Sequence, residues 1–441
     1  MYLKIVFNWI FICLLSCQCG PFVHAVAAKE FNSQKKHDKL FGKFLHITDI
    51  HIDPLYLEGS DPSRICHTIT GNGSEITGKF GALGTRCASP VPLVDATFKF
   101  LKKEINQIDF IIYTGDTVRQ NRDANLPVTH DQVIKGHTLV AEYVLKSFPK
   151  GTLFFPTIGN NDAFMYNQLE ENDPLFPILE TIWKPFKLDL TETFTKGGYF
   201  IQEIIKNKLS IISLNSMFFY NPNLAVEDCI SSTSPGTIQL EWLETQLKKL
   251  KKKDGKHQAY IIGHISPIDE YGIRILKDAC YEKYFALLGK YGKYIAGHFT
   301  GHTNADTLNA VIPNGNGSYG FIAADDQYAI EQKENLKMSI VPLFNAPSII
   351  PSNNPAVRVY DYETTHDGKY PIGTIRDWDQ YYVDLIKANE KRTVKFKLEY
   401  TASDLYHVHY FDGKGLGKAV LNVATNENAR QRYQRYFNVS T

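Results

Sequence analysis

Five short clusters of carboxylate, imidazole and amide side chains punctuate this chain, and their types define the chemistry open to it. In order they are Asp49-Ile-His51, Gly115-Asp116, Gly159-Asn160-Asn161-Asp162, Gly263-His264 and Gly297-His298-Phe-Thr-Gly301-His302-Thr-Asn304. Carboxylate oxygen, imidazole nitrogen and amide oxygen are donors that divalent metals of intermediate hardness accept. A single cluster would mean little, since a lone histidine is more often a hydrogen-bonded structural residue. The set is specific because each cluster closes a short apolar run.

Those runs are the elements that must position the clusters. Lys43-Phe-Leu-His-Ile-Thr, Phe110-Ile-Ile-Tyr-Thr, Leu153-Phe-Phe-Pro-Thr-Ile, Leu209-Ser-Ile-Ile-Ser-Leu, Tyr260-Ile-Ile and Tyr294-Ile-Ala have strand length and β-rich composition. Between them, Val94 to Ile108, His130 to Phe148, Thr237 to Lys252 and Tyr281 to Lys290 carry the spacing of amphipathic helices. Strands alternating with helices predict an α/β sheet flanked by helices, with its ligand crevice outside the carboxyl ends of the strands. Further strands are predicted at Val357 to Tyr360, Trp378 to Ile386 and Thr393 to Tyr400, followed by a polar tail.

With 441 residues, 48 basic against 47 acidic side chains and 43% apolar residues, the composition is that of a globular protein. The balanced charge speaks against a surface built to track nucleic acid, and the aromatic content against disorder. Residues 1–27 read as a signal peptide or signal anchor: Lys4, an apolar run from Ile5 to Leu15, and the Ala25-Val26-Ala27 cleavage pattern. Either outcome predicts a lumenal body. Outside that segment four cysteines remain, Cys66, Cys87, Cys229 and Cys280. They permit three connectivities, of which Cys66 with Cys87 and Cys229 with Cys280 is the most economical; a zinc site is the competing reading. Sequons at Asn72, Asn316 and Asn438 agree with a lumenal location.

From about Phe44 to Asp306 the ordered clusters resemble the calcineurin-like metallophosphoesterase superfamily, whose signature is D-x-H, G-D, G-N-H-D/E, G-H and G-H-x-H. The resemblance implies a two-sheet sandwich flanked by helices, with a catalytic core over 42–310 and a C-terminal extension over 311–441 packing on it. It also implies a dinuclear site at the strand ends, in which Asp49, His51 and Asn304 hold one metal, Asn160, His264 and His302 the second, and Asp116 bridges. Two such ions activate a shared water and clamp the oxygens of a phosphoryl transfer.

Within the superfamily, His46-Ile-Thr-Asp-Ile-His-Ile-Asp-Pro-Leu-Tyr56 looks like the opening motif of acid sphingomyelinase-like phosphodiesterases and fungal endopolyphosphatases. Asn161 stands where the usual motif has a His that assists the leaving oxygen, and Asn304 replaces the second His of G-H-x-H. Both departures look like endopolyphosphatases. An amide oxygen at 304 is a harder donor than imidazole and shifts the expected metals from zinc towards manganese, magnesium or cobalt. Arg119 and Arg122 are candidate phosphate contacts, and His298, inside the final cluster, is a candidate outer-sphere or substrate-contacting residue.

The expectation is therefore an enzyme cutting internal phosphoanhydride bonds of inorganic polyphosphate with two divalent metals (Mn, Mg, Co or Zn). It would act in an acidic vacuole, with secretion as the alternative location. The competing readings are a sphingomyelinase-like phosphodiesterase and a metal-free lumenal binding protein.

Overall fold

The computed structural model describes residues 40–70, 77–253, 256–324, 329–365 and 368–440. The amino-terminal targeting segment and Asn72 lie outside the described residues. In chain order the strands are β1 (Lys43–Ile47), β2 (Ile52–Asp53), β3 (Ser89–Pro90), β4 (Phe110–Tyr113), β5 (Leu153–Pro156), β6 (Phe200–Ile205), β7 (Leu209–Ser213) and β8 (Gln258–Ile262). They continue as β9 (Ile295–Thr300), β10 (Thr307–Pro313), β11 (Tyr319–Ala323), β12 (Val341–Asn345), β13 (Ala356–Tyr362), β14 (Ile375–Tyr382) and β15 (Lys397–Thr401). The helices nearest the argument are α1 (Val91–Glu104), α2 (His130–Ser147), α3 (Leu175–Trp183), α4 (Glu192–Gly197), α5 (Pro235–Lys252) and α6 (Asp278–Tyr291).

One sheet runs β15-β14-β13-β1-β4-β5 and the other β11-β10-β12-β9-β8-β7-β6, which gives the two-sheet α/β sandwich with helices outside. Within each, the central strands pair in parallel: β1 with β4 and β4 with β5, then β7, β8, β9 and β12 in succession. Parallel neighbours end on the same side. The clusters that follow β1, β4, β5, β8 and β9 are thereby delivered to one rim.

Aromatic side chains fill the space between the sheets. Phe44 of β1 stacks on Phe110 at 4.7 Å and on Tyr360 at 4.9 Å, and meets Phe299 of the opposite sheet edge-on at 5.6 Å. All four are fully buried. Truncating such a ring to Ala costs about 3–5 kcal/mol. On the outer faces, α2 opens with a capping box between Thr129 and Gln132. Ser234 caps α5 ahead of Pro235, a residue suited to the first helical turn.

The region from 311 onward does not lie on a finished core. It supplies β11 and β12 to one sheet and β13, β14 and β15 to the other, with β13 antiparallel to β1. The polar tail expected after Tyr400 is also helical, at Gly413–Thr425 and Glu427–Phe437, and buries Leu416, Val420, Val423 and Tyr433. The strand expected to reach Ile386 stops at Tyr382 and gives way to a short helix, Leu385–Glu390, capped by Asp384. Disulfides join Cys66 to Cys87 and Cys229 to Cys280, which removes the zinc reading of these sulfurs. Each contributes roughly 3–4 kcal/mol by restricting the unfolded chain. Among the described residues no helix is long and apolar enough to cross a membrane.

Candidate metal centre

Close approach of the strand ends explains two of the glycines within these clusters. A Cβ on Gly159 would lie 2.2 Å from Asp116 Oδ1, and one on Gly301 would lie 2.0 Å from Thr48 Oγ1 and 2.5 Å from Asp49 Oδ2. Just beyond the strands the backbone turns sharply. Asp49, His51, Asp116, His302 and Asn304 all have positive φ, between 44° and 75°. Non-glycine residues in this region are uncommon and tend to gather at functional sites.

The side chains these turns present form two groups sharing one carboxylate. Asp116 Oδ2 lies 3.2 Å from His51 Nε2 and 3.4 Å from His264 Nε2. On one side Asp49 Oδ1 is 3.5 Å from His51 Nε2. On the other, Asn160 Oδ1 is 3.0 Å from His264 Nε2 and 2.9 Å from His302 Nδ1. In both groups, Asp49 with His51 and Asp116, and Asp116 with His264 and His302, the donor atoms lie within 4.8 Å of one another.

Hydrogen bonds behind the ligands fix their orientation. His51 Nδ1 donates to the Val118 carbonyl at 2.9 Å and His264 Nδ1 to that of Thr114 at 2.7 Å, so both Nε2 atoms face the centre and would be free to bind once a cation displaces their protons. Asp49 Oδ2 accepts from Thr48 Oγ1 and from the His302 amide. Asp162 Oδ2 accepts from the amides of Asp116 and Gly159, and its Oδ1 from that of Thr117, which knits the second and third clusters together. Sequence reading placed Asp162 in its motif but gave it no part.

The donors fit two divalent cations. Among the described residues Asn304 Oδ1 is buried with no hydrogen-bond partner and Asp49 Oδ1 meets only His51 Nε2, at 3.5 Å, a costly arrangement unless a cation takes their lone pairs. The charge balance agrees. Burial opposes charge on His51 and His264, yet Asp116 and Asp49 outweigh it and hold these imidazoles up at about 10 and about 9. Burial and neighbouring His264 push His302 down to about 4, leaving it a neutral donor. Asp116 stays well below the usual carboxylate range: burial raises it, but His264 and His51 lower it more. Two cations bound here would supply a nucleophilic water and neutralise charge developing on phosphoryl oxygens.

A cavity of about 340 Å³ opens over the centre, lined by His51, Asp116, Asn160, Asn161, His302 and Asn304 together with Gln120, Arg122, Tyr166, Asp269 and Glu270. Asn161 donates from Nδ2 to Asp116 Oδ2 at 2.7 Å and from its amide to Asp116 Oδ1 at 2.8 Å, so it orients the shared carboxylate. Arg122 reaches the mouth. Arg119 does not line the cavity: it is 3% exposed, and its guanidinium donates to Leu126 O and Gln132 Oε1. His298 also stays apart, because it lies within β9 and not beyond its end. Its Nε2 pairs with Tyr284 of α6 at 2.6 Å, and burial pushes it down to about 3. Gln120, Tyr166, Asp269 and Glu270 went unnoticed in the sequence, since they lie on loops with no metal-donor spacing. Of the sequons, Asn316 and Asn438 are exposed.

A two-sheet α/β sandwich that gathers carboxylate and imidazole donors at its strand ends defines a metal-dependent hydrolase of the phosphoesterase class. The chain belongs to the calcineurin-like phosphoesterase family, whose profile matches residues 42–305, and residues 338–441 match the acid sphingomyelin phosphodiesterase C-terminal region. It is 31% identical to an endopolyphosphatase of Cryptococcus neoformans over 71% of this chain and 49% of that protein. Against the Saccharomyces cerevisiae endopolyphosphatase it is 33% identical over 62% of this chain and 41% of that protein. Against the cyclic GMP-AMP phosphodiesterase SMPDL3A of Bos taurus it is 30% identical over 90% of this chain and 84% of that protein. The chain thus spans half or less of these two endopolyphosphatases and most of the phosphodiesterase.

Proposed function

We propose that this chain is an endopolyphosphatase: a metal-dependent hydrolase that cuts internal phosphoanhydride bonds of inorganic polyphosphate in an acidic, vacuole-type lumen. The observation that carries this reading is Asn161. Its side-chain amide is engaged by Asp116 and cannot release a proton, so it offers no acid to a departing oxygen. An alkoxide leaving group needs such help, worth roughly 10²- to 10⁴-fold. A polyphosphate chain does not, because even a phosphoryl group's second pKa is about 6. Similarity to two fungal endopolyphosphatases supports the substrate, and Arg122 at the mouth supplies a guanidinium suited to phosphate oxygens. The amide donors Asn160 and Asn304 favour manganese, magnesium or cobalt over zinc. The two disulfides and the exposed sequons Asn316 and Asn438 support a route through the secretory pathway.

The second reading, a phosphodiesterase, is favoured by the long match to SMPDL3A and by Asp269 and Glu270, which place negative charge at the mouth where a long polyanion would enter. Asn161→His separates the two. If Asn161 marks an anhydride enzyme, the new imidazole raises phosphodiester hydrolysis by about tenfold or more and leaves polyphosphate cleavage within about threefold. Equal loss on both substrates would make Asn161 only the support of Asp116 and remove the main argument for polyphosphate.

A further inference from the structure

On the loop stapled by the Cys66–Cys87 disulfide, His67 lies between two carboxylates that the metal centre does not use. Its Nε2 is 2.8 Å from Asp53 Oδ2 and its Nδ1 is 2.8 Å from Asp123 Oδ2, and the ring is 1% exposed. Asp53 belongs to β2, directly after the His51 turn. Asp123 directly follows Arg122. A neutral imidazole has a single N–H, so two carboxylates at this distance require both nitrogens to donate. The bond to Asp53 is the main cause of a pKa raised above the ordinary histidine value, with burial opposing it. Arg119 nearby is also buried, which lowers its pKa against the pull of Asp53 and Asp123, and its guanidinium ties the loop to Leu126 and Gln132. Asp123 also accepts the Asn125 amide from its other oxygen, so its carboxylate is committed to shaping this loop.

We propose that His67 is a positioning residue which, bridging Asp53 and Asp123, holds the Arg122 loop against the wall of the metal cavity so that this guanidinium meets substrate phosphate. The proposal rests on the reading of Arg122 as a phosphate contact. It makes no claim on which phosphate compound is cut.

The test is a double-mutant cycle of His67→Gln and Arg122→Gln in the full lumenal chain loaded with manganese. It is run in parallel on long-chain polyphosphate and on bis(p-nitrophenyl) phosphate, with metal content measured for every variant. His67→Gln should raise KM about five- to tenfold with kcat within about twofold, because one neutral amide cannot replace two charge-assisted bonds. Metal content should stay at the wild-type level, which a general loss of structure would not permit. The double variant should be no worse than Arg122→Gln alone. If His67→Gln is unstable, Asp123→Asn cuts the same bridge and should give the same KM shift. An unchanged KM in His67→Gln, a KM unaffected by Arg122→Gln, or effects that multiply in the double variant would each overturn the proposal. Failure on polyphosphate alone would instead count against the endopolyphosphatase reading, and the diester arm would still judge His67.

Discussion

The two halves of the metal centre are built differently. Asn160, His264 and His302 form a half whose supports come from earlier in the chain: the Thr114 carbonyl behind His264, Asn167 bonded to Asn160, and the Tyr220 ring edge-on to His302 at 5.2 Å. Asp49, His51 and Asn304 form the other half, all with left-handed backbone, and its Asn304 loop leans on the distant carboxyl-terminal third. Asn353 Nδ2 donates to the Asn304 carbonyl at 2.9 Å, Asn345 Nδ2 to Thr303 Oγ1 at 2.7 Å and to Ala305 O at 2.8 Å. Buried Arg358 of β13 pairs with Asp306, which also accepts from Tyr400, and the Asp306 amide donates to Phe437 O. Asn304 therefore depends on β12 to β15 and the last helix, whereas Asp49 and His51 are held by Thr48, the His302 amide and the Val118 carbonyl.

That difference can be broken open in order of effect. Asp116→Asn removes the one oxygen the halves share, and hydrolysis should fall by at least ~10³-fold on every substrate, read as initial rate at saturating metal. Next, Asn353→Ala, which removes the bond to the Asn304 carbonyl, should weaken the half that holds Asn304. Metal analysis after dialysis at limiting manganese should find close to one ion per chain instead of two, with affinity at that half roughly 10- to 100-fold weaker. The same variant should recover rate when manganese is raised; equal loss from both halves would contradict the asymmetry. Asn304→His sharpens the comparison by making the halves chemically alike, and should move the activity preference towards zinc, measured as the ratio of zinc-supported to manganese-supported rate.

The smallest effect is on stability. Burial raises Glu399, beside the Arg358–Asp306 pair, to about 8. Its folded form binds the proton more tightly than the unfolded chain does, so the fold is favoured at low pH and loses stability as pH rises through that value. Glu399→Gln should lift the melting temperature at pH 8 by a few degrees, roughly 1–2 kcal/mol, and leave it nearly unchanged at pH 4.5. A variant that melts lower at pH 8 would show that the carboxylate is held ionised by Arg358.

The meeting of the strand-end donors was legible in the sequence, because polar clusters at the ends of parallel strands must meet on one rim. Strand-end logic put Asp49, His51, Asp116, His264 and His302 on that rim, where they gather into two donor groups, and the two disulfides follow the most economical pairing of four cysteines. What sequence reading lost was the support for the Asn304 loop. Gly413, Gly415 and Gly417 give the helix Gly413–Thr425 the look of a loop, yet a Cβ on Gly415 would lie 1.9 Å from Tyr410 O and one on Gly417 2.1 Å from Leu336 O. Those glycines mark tight packing. His298 misled for the opposite reason: adjacent residues of a strand face opposite ways, so with Phe299 in the sandwich His298 must point to α6. Arg119 shares a loop with Arg122 but turns inward to hold it.

The most direct measurement is a gel assay of the purified chain on long-chain polyphosphate with manganese, beside a phosphodiester, with Asp116→Asn as control. A descending ladder of intermediate lengths, absent in Asp116→Asn, is the predicted result. Intact polyphosphate beside a hydrolysed phosphodiester would contradict the account and place the activity with the phosphodiesterases.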